Sequence, residues 1–262
     1  MDFKGRRVWI TGASSGIGEA MAVAFHQAGA KLVLSARRED ELKRVQMLCG
    51  GEPNTRILPM DVTNAAELPE KTQRALGMFS GIDILVLNAG ITQRSLTRDT
   101  DESVYRQLME VNFFAADAMA RAVLPSMLAQ KSGHMVVISS IAGKFGVPLR
   151  SGYSASKFAL HGFFEVLRAE EEKNGIHVTM VCPGYIRTDI SLSALKGDGG
   201  KHAKMDPGIA QGMPAEECAR RILKGVARCK KEIIVGAKYE RGLVYLKRFF
   251  PDLLARMVSR HG

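Results

Sequence analysis

Residues 4–37, KGRRVWITGASSGIGEAMAVAFHQAGAKLVLSAR, restrict the fold more than any other stretch. A β-branched run, a glycine-rich turn, an alanine-rich helical run and a second apolar run follow one another within about thirty residues, the order of a βαβ unit. Such a unit commits the chain to parallel strands joined by crossover helices. Gly12 permits the tight turn, Gly16 lets backbone approach a pyrophosphate, and Gly18 lets the helix pack closely on the sheet. Ser14, Ser15 and Ile17 sit between these glycines, at the positive N-terminus of the helix. A dinucleotide is the ligand such a loop fits.

The rest of the chain continues the alternation. Short apolar runs predict strands near 7–11, 31–35, 56–60, 83–87, 134–139, 177–181 and 232–235, with helical patterns between them. Runs of this kind are buried on both faces, so the fold class is α/β, a Rossmann-type doubly wound sheet of about seven parallel strands. No linker, repeat or low-complexity run divides the 262 residues, and a single domain spanning 1–262 is expected. The segments NAG (88–90), ISS (138–140) and PGY (183–185) each follow a predicted strand, which gathers them at one sheet edge.

Between them lies the stretch SGYSASKFALHGFFEVLRAE (151–170), whose apolar recurrence predicts a helix. Tyr153 and Lys157 are then one turn apart on one face. A phenol ordinarily titrates at about 10. An ammonium about 5 Å away, at an effective dielectric of about 20, would favour the phenolate by about 3 kcal/mol and lower that value by roughly two units. With Ser140 thirteen residues upstream to hold a carbonyl, the trio suits general acid catalysis on a ketone or aldehyde.

Through TGASSGIG (11–18), NAG (88–90), Asn112, Ser140, YSASK (153–157) and PGYIRT (183–188), the chain resembles the standard-length short-chain dehydrogenase/reductase family along nearly its whole length. The segment 138–164 resembles the steroid-reducing branch, and 183–206 with 244–260 the member 7B type. The resemblance implies an oxidoreductase with a nicotinamide cofactor and a catalytic tetrad. Asn112 would hold a water, Ser140 would hydrogen-bond the substrate carbonyl, Tyr153 would give the proton, and Lys157 would bind the nicotinamide ribose. It further implies cofactor contacts at Asp61, Val62, Asn88, Ala89, Gly90, Pro183, Gly184, Ile186 and Thr188. An Asp at a strand end is equally a cap for the next segment, and that reading of Asp61 stays open. The implied substrate is a fairly large apolar carbonyl or alcohol: a steroid, a retinoid, a 3-oxoacyl thioester or an acyl-dihydroxyacetone phosphate. A homo-oligomer, dimer or tetramer, is the implied assembly.

The end of the second strand reads SARR (35–38). A carboxylate there would accept hydrogen bonds from an adenosine ribose and repel a 2′-phosphate. Ala36 stands in that place, with Arg37 and Arg38 able to grip a phosphate, so NADP(H) is the expected cofactor. Of the net charge of +10, residues 220–262 carry +9, from twelve Lys or Arg against three acids. There Leu243, Leu246, Phe250, Leu253, Leu254 and Met257 recur at helical spacing around Pro251, which predicts two short amphipathic helices with a cationic face over 238–262. An anionic membrane, an acidic carrier or a phosphorylated substrate would be attracted to that surface, or it covers the pocket or a subunit contact. Nucleic acid is not expected, because no binding module is present.

Residues 186–214 lose regularity, with Gly197, Gly199, Gly200, Pro207, Gly208 and Gly212 close together, and this is the expected mobile substrate lid. Cys49, Cys182, Cys218 and Cys229 show no paired spacing and the six histidines no ligand spacing, so reduced thiols and no metal are expected. The opening MDFKGRR leads straight into a strand, and no run of eighteen apolar residues follows, hence the expectation of a soluble, cytoplasmic protein. Two other functions stay open. Gly12, Ser14 and Gly16 also spell GxSxG, a hydrolase nucleophile elbow. A Rossmann domain could also sense a dinucleotide and catalyse nothing.

Overall fold

The computed structural model describes residues 1–259. Its strands are β1 (Arg7–Thr11), β2 (Lys31–Ser35), β3 (Thr55–Ile57), β4 (Ile84–Leu87), β5 (Gly133–Ile138), β6 (Ile176–Pro183), β7 (Ile186–Arg187), β8 (Met213–Pro214) and β9 (Glu232–Val235). Its helices are α1 (Gly16–Gln27), α2 (Glu39–Leu48), α3 (Leu68–Met78), α4 (Glu102–Met109), α5 (Ala115–Ala129), α6 (Ser151–Glu171), α7 (Pro207–Ala210), α8 (Ala215–Val226), α9 (Lys238–Phe249) and α10 (Pro251–Ser259). A π turn over Glu110–Phe114 links α4 to α5.

Seven strands pair in the order β3-β2-β1-β4-β5-β6-β9, and every pairing is parallel. This is the doubly wound single domain expected from the alternation. The predicted strands fall within a residue or two of the observed ones, except that β3 closes at Ile57. Its ladder nonetheless runs on, since Leu58 N donates to Leu34 O and Met60 N to Ala36 O on either side of Pro59, which has no N–H to give.

Alternation along β1 shows how the two faces are built. Val8 and Ile10 enter a core closed by Met21 and Phe25 of α1, Leu42 and Val45 of α2, and Ala219 and Ile222 of α8. Trp9 enters the opposite core, closed by Ala75 of α3, Met119 and Val123 of α5, and Leu160 and Phe164 of α6. Both faces are therefore largely apolar, with His134 and Thr179 bonded to each other inside the sheet, and most polar groups collect at the strand ends. The strand order reverses between β1 and β4, so their carboxyl ends diverge and leave the crevice where open α/β sheets take ligands.

Candidate active site

Thr11 ends β1 and organises this crevice. Its hydroxyl donates to Val86 O at 3.2 Å and accepts from the backbone N–H of Asn88 at 3.0 Å and of Ala89 at 3.2 Å, pinning the loop after β4 to the loop after β1. The Asn88 amide donates to Thr11 O and Gly12 O. It thus braces the glycine turn, and its amide hydrogens are committed there. Gly12 has φ +62°, and a Cβ on it would lie 2.9 Å from Ala89 Cα; a Cβ on Gly18 would lie 2.2 Å from Gly12 O. Only glycine fits either place. Gly16 faces Thr188, whose methyl would be 3.1 Å from an added Cβ, so PGYIRT returns over the helix start. A cleft of about 630 Å³ opens there, with Glu19, Arg187, Met205 and Arg220 on its walls. Ser15 caps α1 with its backbone extended and its side chain making no cap bond, Ile17 packs at the edge of the core, and Val62 and Ala89 line a narrow cavity with Thr11 and Met119.

At the end of β2, Ala36 is buried while Arg37 and Arg38 are exposed. Arg38 Nη2 donates to Ser14 Oγ at 3.3 Å. From α2, Arg44 also reaches the loop, with Nη2 3.5 Å from Ser14 O while its guanidinium is held by Glu19 and Glu41. Sequence reasoning gave no role to Arg44, because the pairing with Glu19 spans 25 residues. Asp61 Oδ1 accepts from Thr63 N and Thr63 Oγ1, so it caps the turn after β3. Burial pushes its carboxyl up, but those bonds and the nearby Arg37 more than offset this, and it titrates below the usual carboxylate range.

The predicted tetrad is brought together, and one expectation about it is corrected. Asn112 lies in the π turn, fully buried. Its Oδ1 accepts from Ile91 N at 2.8 Å, and its Nδ2 donates to Ile91 O and to Ser156 Oγ. The side chain is therefore committed to protein, and a water held by Asn112 would meet its backbone. Ser156, which in turn donates to Tyr153 O, is a supporting residue absent from the sequence reading.

Electrostatics at Tyr153 differ from expectation. Lys157 Nζ donates to Ile138 O at 2.9 Å and lies 5.8 Å from the centre of the Tyr153 ring. Burial disfavours its charge and pushes it down to about 8. Tyr153 is displaced upward, not downward as expected: desolvation raises it, outweighing the Ser140 hydroxyl and the charges of Arg150 and Arg94, which lower it. The cations that oppose its burial thus come from Arg94 and Arg150. Both grip Asp206 of the 186–214 segment, Arg150 at 3.0 Å, and neither is visible as a partner in the sequence. Gly90 passes close by, since a Cβ there would be 3.1 Å from Asn112 Oδ1 and 3.6 Å from Lys157 Nζ.

Ser140 follows β5 in extended backbone and caps a short 3₁₀ turn by accepting from Ala142 N, while its hydroxyl reaches Pro183 O at 3.4 Å. Pro183 ends β6, and Gly184 N donates to Val235 O. Ile186 is buried in β7. The buried Glu240 of α9 accepts from Tyr185 N and Ala237 N, both at 2.6 Å, and a Cβ on Gly184 would lie 2.4 Å from its Oε1. The C-terminal segment is thus fastened to the turn after β6.

The expected lid is pinned at several points. Its two ends pair as β7 and β8, Leu195 N donates to Thr92 O, and Arg94 N donates to Leu195 O. Leu195 packs with Val104 and Leu108. Buried apolar anchors and the Asp206 pairs tie this excursion to the body of the domain.

The predicted pair of C-terminal helices is present, broken at Pro251; Arg260, His261 and Gly262 of that segment lie outside the described residues. Glu240 and Leu254 turn inward, whereas Tyr239, Tyr245, Phe249, Phe250 and Leu253 are more than half exposed. Among the described residues no helix is long and apolar enough to cross a membrane, and all four cysteines are unpaired.

A family model described as short chain dehydrogenase matches residues 6–198. The dehydrogenase/reductase SDR family protein 7-like of Anopheles gambiae is 44% identical over 95% of this chain and 80% of its own length. Family member 7B of Mus musculus is 38% identical over 96% and 80%. Among solved structures, a short-chain dehydrogenase from Streptomyces avermitilis superposes with a TM-score of 0.82 at 28% identity, covering 98% of this chain and 99% of that one. One from Burkholderia phymatum, in complex with NAD, gives a TM-score of 0.85 at 24% identity over 97% and 96%, which bears on fold alone. A hydrolase elbow at Ser14 has no place in that framework, and the Ser14 hydroxyl is engaged by Arg38. The chain is an oxidoreductase of the short-chain dehydrogenase/reductase family, of the 7B-like type.

Proposed function

We propose that this protein is an NADPH-dependent reductase of a fairly large apolar carbonyl compound, working reversibly on the corresponding alcohol. The observation that carries the reading is Tyr153 set beside Ser140 at the carboxyl ends of β4, β5 and β6, with Lys157 one turn further along α6. An enzyme is favoured over a silent nucleotide sensor because a proton donor, a carbonyl-holding hydroxyl and a buried ammonium have no common use in binding alone.

The residues fit a nicotinamide dinucleotide. The cradle at Gly12, Gly16 and Gly18 would be filled by any Cβ, and the α1 N-terminus opens onto it, so a pyrophosphate would lie on free backbone N–H groups. Ala36 removes the acid that would favour an unphosphorylated ribose, and the exposed Arg37 and Arg38 flank that place. The bound cofactor would supply a hydride. Ser140 donates a hydrogen bond to the substrate oxygen and polarises it, and Tyr153 gives that oxygen its proton as negative charge grows there. Arg94 and Arg150 lower the cost of the resulting phenolate. Lys157 holds the nicotinamide ribose and relays the proton back toward solvent.

The likeness of 183–206 and 244–260 to the 7B type supports a fairly large apolar substrate such as a steroid, a retinoid or a long 3-oxoacyl or acyl-dihydroxyacetone phosphate compound. The exposed Phe114, Phe158 and Val166 support a homo-oligomer. Lys238, Arg241, Lys247 and Arg248 beside Phe249 and Phe250 support reversible contact of an otherwise soluble, cytoplasmic enzyme with an anionic membrane. The decisive test is NADPH oxidation against a panel of these carbonyls, with both cofactors titrated by fluorescence. NADPH is expected to bind at least tenfold more tightly than NADH, about 1.4 kcal/mol, and Ala36→Asp with Arg37→Ile to reverse the order. Equal affinities in the unaltered protein would sink the phosphate assignment.

A further inference from the structure

Behind the catalytic helix the fold assembles three side chains that have no common spacing in the sequence. His161 lies one turn beyond Lys157 on α6, Cys182 lies one residue before Pro183 on β6, and Glu232 opens β9. In the β6–β9 ladder Met180 stands opposite Glu232, and Cys182, two residues on, shares that face of the sheet. One ligand atom from each of the three lies within 4.8 Å of the others. Cys182 Sγ and His161 Nε2 are 3.6 Å apart. A tetrahedral zinc with bonds of about 2.3 Å to sulfur and about 2.0 Å to nitrogen spans about 3.5 Å between the two ligands. The two groups share a hydrogen bond at that separation, which is also the bite a chelated cation requires.

The other ring nitrogen of His161 faces Glu165 Oε1 at 3.4 Å. A carboxylate behind a histidine is the arrangement that orients an imidazole toward a metal and raises its basicity. We propose that His161, Cys182 and Glu232 bind one divalent cation of the zinc class, with Glu165 positioning the histidine and a fourth position open to solvent on the Glu232 side.

Binding breaks the Cys182 S–H bond, releases that proton to solvent and forms a metal–sulfur bond, with no change of oxidation state. Burial lowers the His161 imidazole from its ordinary value and pushes the Cys182 thiol up to about 12, so the cation must displace a firmly held proton. It must also displace Lys144, which forms an ion pair with Glu232. Lys144 is the competing cation and sets how tightly the site binds.

The test is titration of the full chain with Co²⁺, whose thiolate complexes absorb in the near ultraviolet, followed by Zn²⁺ competition. One equivalent should give the thiolate band, and Zn²⁺ should abolish it. Cys182→Ser should lose the band, Glu165→Gln should weaken binding by about 10- to 100-fold, and Lys144→Met should tighten it. Cys182 is buried and its serine variant can fail to fold, so Glu232→Gln, at a solvent-reaching side chain, is run in parallel and should weaken binding at least tenfold. The proposal is overturned by absence of the band, by a band that survives Cys182→Ser, or by unchanged affinity in Glu232→Gln.

Discussion

Tyr153 and Lys157 illustrate how burial changes the chemistry of a residue. Tyr153→Phe removes the proton donor without touching the glycine cradle. Turnover is expected to fall by about 10² to 10⁴ with cofactor affinity kept, read by steady-state kinetics beside a fluorescence titration. Near-normal turnover would exclude Tyr153 as the acid. Lys157 carries a stability consequence with a definite sign. Its folded value, about 8, lies below its ordinary value of 10.5. Between those two pH values the unfolded chain holds more protons, so this residue's contribution to stability rises with pH across that window. Below pH 8 both states are charged, and the folded state bears the whole cost of the buried ammonium, about 3 kcal/mol at most. Lys157→Met should therefore raise the melting temperature near pH 7, and the gain should shrink as pH approaches 10. A constant difference across that range would mean the ammonium is not disfavoured by folding. The spacing of these two residues was readable in the sequence. The sign of the tyrosine's displacement was not, because it depends on how far the folded chain desolvates the phenol against the opposing charges of Arg94 and Arg150, which spacing does not encode.

Among elements, the segment from Ile186 to Pro214 departs furthest from its sequence pattern. Its glycines suggest a mobile lid, and what they do not announce is that Leu195 is buried and Asp206 sits between two guanidinium groups. Arg94 is almost wholly buried, and the pair spans 112 residues. Removing one partner of such a pair leaves an uncompensated charge, so Asp206→Asn should destabilise the protein by about 3 kcal/mol. If the segment also shapes the substrate site, the Michaelis constant should rise in this variant more than turnover falls. Unchanged values of both, together with unchanged stability, would show that the two arginines find other partners. The strands were legible because a dry two-sided sheet demands uninterrupted apolar runs such as KLVLS and ILVL, which little else in a globular chain requires. The two-residue pairing of β7 with β8 and the Leu195 anchors carry no periodic signal. They arise from contacts between segments that only the completed sheet brings together.

Across the whole molecule, charge and exposed aromatic surface concentrate at one end. Lys238, Arg241, Lys247 and Arg248 are exposed, and among the described residues none forms a direct ion pair. Each basic residue near an anionic surface contributes about 1 kcal/mol, and the attraction fades within a Debye length of about 10 Å at 0.1 M salt. The full chain should therefore sediment with anionic vesicles at low salt, and release at high salt or from neutral vesicles. Lys247→Glu with Arg248→Glu should abolish this binding. Retention by that double variant would assign the patch to another role. Cutting the chain at Ala237 is a poor control, because Glu240 then leaves with the tail. That carboxylate joins the start of α9 to the peptide groups beside Gly184 and Gly236, at the reactive end of the sheet. A docking event on the last two helices is therefore expected to be felt at the turn that flanks Ser140, as a lever acts through its pin. A fluorophore on Tyr245 would then sense events at the opposite end of that lever.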